Sequence, residues 1–452
     1  MTKAKLGENI VARLADIQGL SPQGISHGDD FQLPRLIGVG DGRTLQITKE
    51  IDELISALAA ELKLARPASR KVVKQREWRS WVRSATGPVL ARLDLSRPFA
   101  ETGAELVAAV EAAVDEQLAG LPGREHAFGV TLFGDPGVPP FTIGPVTFED
   151  TNDWLTRKTE ERDLTPVTAR RLRKTFRGGS VAKRKPGASS VHELSIVSAI
   201  ARAPYVASVR IEGFGSDAGL EAAATAARLA LVVVALQWPV ASRALEGMRL
   251  RFDAKHYLQQ AITFIPGRLV IGGSRLRGTP FGPSINVEDW VAELPTAAPV
   301  FGAAGEAIGL LTSIGDASPR LNLLRALVQA LQWFYAGCRE ESDAIAVVNF
   351  MASLDALAGG TRAKGILELL EARFRLKRVD PIHPGGPSFK STVEELYNSG
   401  RSRLVHGTSE WIGHDFTERR ALAEELARLA LLECLYVAGS NPHVILASQL
   451  KK

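Results

Sequence analysis

The spacing of apolar residues changes twice along this chain of 452 residues. Between residues 45 and 65, isoleucines and leucines recur every three or four positions, which predicts an amphipathic helix, and residues 101–120 repeat the pattern. From about residue 125 apolar and polar residues alternate as they do in strands, and from residue 322 the helical spacing returns. Because the two periods occupy separate blocks, the sequence predicts a multidomain α+β protein.

These blocks suggest three regions. Residues 1–122 are expected to be a mainly helical N-terminal region, residues 123–300 an α+β domain of unknown role, and residues 318–452 an all-α bundle. The middle region has three strand candidates, 127–134, 141–148 and 205–214, and a long helix, 217–246. Two further segments, 248–254 and 268–276, are also strand-like. A segment rich in Gly, Pro and Ala, 295–319, precedes the bundle. The predicted bundle helices are 322–338, 342–357, 364–374, 391–405 and 416–438.

The cysteine content and the hydropathy of the sequence indicate the cellular compartment of the protein. Only Cys338 and Cys434 occur, so no disulfide framework is indicated, which fits a reducing environment. The longest apolar run, 229–236, is much shorter than the roughly 18 residues of a membrane span, and polar residues interrupt every apolar run of the first 20 positions. We therefore expect a cytoplasmic protein without a membrane partner, with 229–236 inside a buried helix.

Several chemistries have no motif in the chain. GxxxxGK[ST], HExxH, paired CxxC and GxSxG are all missing from the sequence, so nothing in it predicts a nucleotide phosphate loop, a zinc site or an α/β-hydrolase nucleophile. The glycine cluster 38–42 has no dinucleotide-binding spacing and predicts a turn. We accordingly predict no cofactor and no metal.

Positive charge is concentrated in two segments, although the net charge of the whole chain is only +5. Residues 157–185 contain eleven Lys and Arg against three acidic residues, and residues 66–83 contain seven against one. Such segments can attract a polyanion such as RNA, or they can be solvated helix faces followed by an exposed loop. The residues that we expect to contact RNA are Arg170, Arg171, Arg173, Lys174, Arg177 and Arg403.

One segment near the end, ELYNSGRSRLVHG at 395–407, combines Arg401 and His406 with four residues between them. Four Arg and His pairs with four to six intervening residues occur in the chain, so the spacing alone is weak evidence. Only this pair lies on a predicted helix.

Two sequence segments, LYNSGRSRLVHG at 396–407 and AVVNFMASLDAL at 346–357 on the second bundle helix, resemble the HEPN superfamily and most closely the Apea-like HEPN domain. The resemblance covers about residues 320–440. It implies a metal-independent endoribonuclease in which two HEPN domains pair and bring both Arg and His sets into one cleft. Arg401 and His406 match the catalytic pair, and Asn349 or Asp355 matches the polar position on the second helix. Families with this domain often serve in phage defence or as toxins, which implies regulated activity.

The residue chemistry agrees with that implication. Neutral imidazole is the side chain best suited to accept a proton from a ribose 2′-hydroxyl near neutral pH, and His406 is the candidate base. A planar guanidinium can donate two hydrogen bonds to the oxygens of a transition-state phosphate, and Arg401 is the candidate for that task.

Geometry restricts how the pair can act. Positions five apart on a straight α-helix point about 140° away from each other, so one helix does not easily aim both side chains at one phosphate. Gly407 predicts that the helix ends at His406, and a symmetric homodimer through the bundle would bring Arg401 of one subunit near His406 of the other.

Three other interpretations remain open at this stage, and one of them, an enzyme whose site lies in residues 123–300, has no motif behind it. Arg401 could pair with a carboxylate such as Glu394 while His406 only caps the helix. Alternatively, the bundle could be a non-catalytic dimeric scaffold or a module that binds a nucleotide or RNA. In either case the N-terminal region is expected to take a regulatory partner or a nucleotide ligand.

Overall fold

The structure, a computed structural model, describes residues 1–18, 35–135, 137–200, 203–253, 257–277, 281–315, 318–382, 385–408, 410 and 413–452. It is a mixed α+β protein with two compact units. The first unit contains Met1–Arg124 and Ile211–Ala222, and the second contains Glu125–Arg210 and Ala223–Lys452. The regions predicted as 123–300 and 318–452 thus share a unit, and their separation into two domains stays a prediction.

The first unit is mainly helical. Its helices are α1 (Lys3–Gln18), α2 (Lys49–Leu64), α3 (Ser69–Val72), α4 (Gln75–Leu90) and α5 (Phe99–Ala119). The expected helices 45–65 and 101–120 are confirmed as α2 and α5, but residues 45–47 belong to a hairpin of β1 (Arg35–Gly40) and β2 (Arg43–Ile47). Asp41 and Gly42 form its turn with positive φ, so the predicted turn in the glycine cluster is confirmed.

The second unit contains a five-stranded sheet with the order β4-β5-β6-β3-β7. The strands are β3 (Arg124–Thr131), β4 (Phe141–Ile143), β5 (Val146–Asp150), β6 (Tyr205–Ile211) and β7 (Arg249–Leu250). Another two strands, β8 (Tyr257–Ile265) and β9 (Arg268–Arg277), form a separate antiparallel pair. The prediction of one strand at 141–148 was wrong. Gly144 has φ +57° and Pro145 has no N–H to donate, so the chain turns back there as a hairpin.

Five helices accompany this sheet in the chain order. They are α6 (Thr151–Glu160), α7 (Pro166–Phe176), α8 (Ala188–Ile200), α9 (Ser216–Ala235) and α10 (Ala241–Gly247). The predicted single helix 217–246 was wrong, because the chain leaves the helix after Ala235 and Pro239 lies in the break. Residues 229–236 are each at most 1% exposed, which confirms that this run is buried.

The C-terminal part is helical from residue 287. Its helices are α11 (Val287–Thr312), α12 (Leu321–Arg339), α13 (Asp343–Leu357), α14 (Arg362–Phe374), α15 (Phe389–Glu395), α16 (Arg403–Val405) and α17 (Thr417–Ser440). Helix α11 was not predicted because it contains Pro295 and Pro299. Its packing offsets these breaks: α17 approaches so closely that a Cβ on Gly439 would collide with the Pro299 carbonyl. Four predicted bundle helices, 322–338, 342–357, 364–374 and 416–438, are confirmed as α12, α13, α14 and α17. The remaining predicted helix, 391–405, is interrupted.

Two helices in the described part of the chain are long and apolar enough to cross a membrane by length and composition. These are α9 and α11, and 72% and 39% of their most apolar windows are buried inside the protein. The joined pair of α13 and α14 also passes this test, but it is bent by 71°.

Candidate functional site

The segment that carries Arg401 is a π-helix, Leu396–Ser402, between α15 and α16. The Arg403 N–H donates to the Asn398 carbonyl, five residues back, where an α-helix would pair residues four apart. The single α-helix predicted for 391–405 was therefore wrong at its centre. Such π-helical turns are frequent at functional sites.

Gly400 lies inside this π-helix and is buried. A Cβ at position 400 would lie 2.9 Å from Val347 Cγ1 of α13. Glycine costs a helix about 1 kcal/mol relative to alanine, but here its missing side chain allows the π-helix to approach α13. That approach positions Arg401 beside the second bundle helix.

Arg401 has two side-chain partners. Its Nη1 donates a 2.7 Å hydrogen bond to the Tyr397 hydroxyl, and its Nη2 lies 3.3 Å from Asp355 Oδ2. The guanidinium also lies over the Tyr397 ring, 5.0 Å from its centroid. The predicted alternative partner, Glu394, pairs with Lys390 at 3.8 Å. The Arg401 side chain is 28% exposed, and its guanidinium has five N–H donors, more than these two contacts use.

Asp355 is fixed from a second side. Its Oδ1 accepts the backbone N–H of Arg362, the first residue of α14, at 2.9 Å. The carboxylate therefore joins the end of α13, the start of α14 and the π-helix. Burial and the charge of Asp355 raise the pKa of Tyr397, against the opposing effect of Arg401, so the phenol stays protonated at neutral pH.

Arg401 and Asp355 line a cavity of about 450 Å³. Helix α12 contributes Asn322, Arg325, Gln329 and Trp333 to the lining. The Trp333 side chain is 40% exposed. Besides the Asp355 carboxylate that pairs with Arg401, the cavity has two guanidiniums, two amides and an indole, which are groups that bind phosphates and nucleobases.

His406 lies outside this cavity. It is exposed at the end of α16, where Gly407 has φ +70°. The Gly407 N–H bonds the Leu404 carbonyl and the Thr408 N–H bonds the Arg403 carbonyl, which is a Schellman motif. The prediction that the helix ends at His406 is confirmed. Among the described residues the imidazole has no hydrogen-bond partner.

The two candidates for the polar position on α13 differ. Asp355 joins Arg401, as described above, whereas Asn349 is buried at 8% exposure and is not among the residues that line the cavity. The residues are six apart on one helix, about 120° around its axis, so they cannot both face the same group.

The residues expected to bind RNA fall into two groups. Arg170, Lys174, Arg177 and Arg403 are exposed, and no ion pair holds them within the described part of the chain. Arg171 and Arg173 are engaged: Arg171 pairs with Glu193 at 2.8 Å, and Arg173 donates to the Thr156 hydroxyl at 2.8 Å. The basic segment is therefore partly neutralised by the protein itself.

Sequence reasoning missed Tyr397 and the α12 face. Tyr397 precedes Arg401 by four residues, a spacing that places side chains on one helix face, so this partner was open to prediction. The polar stripe 322, 325, 329 and 333 also has helical spacing, but only the fold brings it to the cavity that Arg401 lines. In the ranges that the structure describes, no group of three or more His, Cys, Asp or Glu residues is arranged to hold a metal ion.

Comparisons of the chain with protein-family models, with curated proteins and with solved structures find no match.

Proposed function

We propose that this protein is an endoribonuclease that cleaves single-stranded RNA without a metal, through Arg401 and His406 at the interface of a HEPN-like homodimer. The observation that supports the proposal most is the attachment of Arg401 to Asp355 and Tyr397 at the edge of a polar cavity. An arginine held at two of its nitrogens needs little reordering to receive a phosphate, which favours transition-state stabilisation.

The reaction follows from the groups. The His406 imidazole accepts the proton of a ribose 2′-hydroxyl, and the 2′-oxygen forms a bond to the adjacent phosphorus. The 5′-oxygen leaves and takes up a proton from water, and the imidazolium returns its proton to the solvent, so the products are a 2′,3′-cyclic phosphate and a 5′-hydroxyl. Arg401 stabilises the negative charge that gathers on the non-bridging oxygens.

In this proposal a second copy of the chain supplies the His406 imidazole that acts with Arg401. His406 lies outside the cavity that Arg401 of its own chain lines, and its imidazole is exposed without a partner among the described residues. A symmetric dimer is the simplest arrangement that presents one chain's imidazole to the other chain's guanidinium.

The exposed cations Arg170, Lys174 and Arg177 would hold the RNA backbone, and Arg403 lies two residues from the site itself. A cytoplasmic location, control by a partner or a nucleotide at the N-terminal region, and a role in phage defence or as a toxin belong to the same proposal.

Mixing two inactive variants tests the composite site. Arg401→Ala and His406→Ala are unfolded together and refolded, so about half of the dimers carry one chain of each type. Each mixed dimer retains one site with Arg401 and His406 both intact, so cleavage returns to about a quarter of the wild-type rate. Recovery is absent if both residues act within one chain.

A non-catalytic dimeric module is the second candidate, and the position of His406 outside the cavity is the observation that favours it. In that case wild-type protein binds RNA and cleaves none, and the mixed dimers behave like the parent variants.

A further inference from the structure

A second cavity in the same unit has a different chemical character. Its volume is about 300 Å³, and its walls come from residues between 285 and 297, at the start of α11, and from the break between α9 and α10. The residues whose chemistry matters are Gln237, Trp238, Asp289, Trp290 and Glu293. Among the residues that the structure describes, no arginine, lysine or histidine contributes to the lining.

Two stacked indoles form one wall. The Trp238 and Trp290 rings are 6.2 Å apart between centroids with an interplanar angle of 28°. Phe133 and Phe141 contact the Trp290 ring at centroid distances of 5.0 and 5.6 Å, and these contacts hold the ring in place. Trp238 is only partly buried, and its indole is the aromatic surface available to a ligand.

Two carboxylates belong to the same cavity. Asp289 and Glu293 are four residues apart, so they share one face of α11. Both are exposed, and neither has an ion pair within the described part of the chain. The Asn286 side chain already accepts the N–H groups of Glu288 and Asp289, so capping the helix does not require the Asp289 carboxylate.

The lining also contains a donor without an acceptor. Trp290 is 8% exposed, and its Nε1 is buried with no hydrogen-bond partner among the described residues. A buried N–H without an acceptor is unfavourable, and a ligand that carries an oxygen near this wall would relieve that cost.

We infer that this cavity binds a small organic cation of the ammonium alcohol type. An indole face attracts an ammonium group through its quadrupole, and the two exposed carboxylates add Coulomb attraction. The volume lies at the lower end of the range for small-molecule sites, so the ligand is compact. The site is independent of the proposed ribonuclease activity, since it shares no residue with the cavity of Arg401.

Choline and its uncharged carbon analogue, 3,3-dimethylbutan-1-ol, have the same shape and test the charge directly. Titration calorimetry on the full chain is expected to detect choline binding at concentrations up to about 10 mM and no binding of the analogue. Trp238→Leu and Glu293→Gln should each weaken choline binding about tenfold, because each removes one attraction. Glu288→Gln is the matched control, since Glu288 is an exposed carboxylate on the same helix but is not among the residues that line the cavity.

Three outcomes would overturn the inference. They are the absence of choline binding to a folded wild-type chain, equal binding of choline and its neutral analogue, and equal weakening by Glu288→Gln and Glu293→Gln. Circular dichroism of every variant shows whether lost binding reflects lost structure. A variant that fails to fold is replaced by Asp289→Asn, an exposed substitution for which the same tenfold loss is expected.

Discussion

Asp355 Oδ2 lies 3.3 Å from Arg401 Nη2, while the other oxygen of the same carboxylate accepts the Arg362 N–H at 2.9 Å. One side chain therefore fixes the orientation of the guanidinium and the start of α14. These two tasks separate chemically, because only the first requires a negative charge.

The substitution Asp355→Asn should separate the orientation of Arg401 from the hydrogen bond at the start of α14. The amide oxygen can still accept the Arg362 N–H, so the free energy of unfolding should fall by less than about 1 kcal/mol, whereas Asp355→Ala should cost about 1–3 kcal/mol. Without the charge Arg401 loses its anchor, and RNA cleavage should slow by about tenfold to a hundredfold. Urea unfolding and single-turnover cleavage measure both quantities.

Asp343→Asn is the control on the same helix, because Asp343 pairs with Arg420 at 2.7 Å and does not line the cavity. An equal loss of cleavage in the Asp343 and Asp355 variants would contradict the assigned task of Asp355.

Gly400→Ala tests the contact between the π-helix and α13. Helix propensity alone predicts a gain of about 1 kcal/mol, but the new Cβ would lie 2.9 Å from Val347 Cγ1, a buried and stiff β-branched side chain. We expect a net loss of about 1–2 kcal/mol in the free energy of unfolding. The double variant with Val347→Ala should show a favourable coupling of at least about 0.5 kcal/mol. Additive effects would show that the two positions do not interact.

The sequence predicts much of the fold where a local rule acts alone. Apolar spacing finds α2, α5, α12, α13, α14 and α17, and Gly407 marks the end of α16. The failures occur where tertiary packing outweighs a local rule. Helix α11 continues through Pro295 and Pro299 because its buried face packs against α17, and no spacing in the sequence reports that contact.

Prediction of the candidate site from the sequence has the same limits as prediction of the fold. The resemblance of their segment to the HEPN superfamily selected Arg401 and His406, and their catalytic roles stay predictions. The choice between Asn349 and Asp355 required knowing which face of α13 meets the π-helix. A straight α-helix with 3.6 residues per turn does not describe this segment, because the chain widens there to π-helical pairing.

The basic segment should affect RNA affinity through its exposed members only. Replacing Arg170, Lys174 and Arg177 with Gln should weaken RNA binding and reduce the slope of log affinity against log salt concentration by about two, since fewer counterions are released. Arg171→Gln is the contrast, because its pairing with Glu193 predicts lost stability and an unchanged slope. Fluorescence anisotropy of a labelled RNA at several salt concentrations measures the slope, and an unchanged slope in the triple variant excludes this surface from RNA binding.

The acidic limit of stability should depend on Glu125. Burial alone raises the pKa of this carboxyl, but hydrogen bonds from Arg157 and Lys158 outweigh burial and lower the pKa to about 2. A depressed folded-state pKa gives stability that is present above the ordinary value near 4.5 and is lost as the pH falls toward 2. After allowance for solvent screening, this contribution is roughly 1–3 kcal/mol.

Denaturant unfolding between pH 7 and pH 3 checks this contribution. Glu125→Gln should be less stable than wild type at pH 7, and the difference should shrink as the pH falls. Glu160→Gln is the control, because Glu160 is exposed and unpaired in the described part of the chain. A difference that is constant across this pH range would contradict the assignment.

Incubation with end-labelled single-stranded RNA in excess EDTA tests the central claim most directly, with wild type, His406→Ala and the exposed control His443→Ala compared side by side. The account predicts fragments that end in 2′,3′-cyclic phosphate from wild type and His443→Ala, and none from His406→Ala. Equal cleavage by His406→Ala and wild type, or no cleavage by any of the three proteins, would contradict the account.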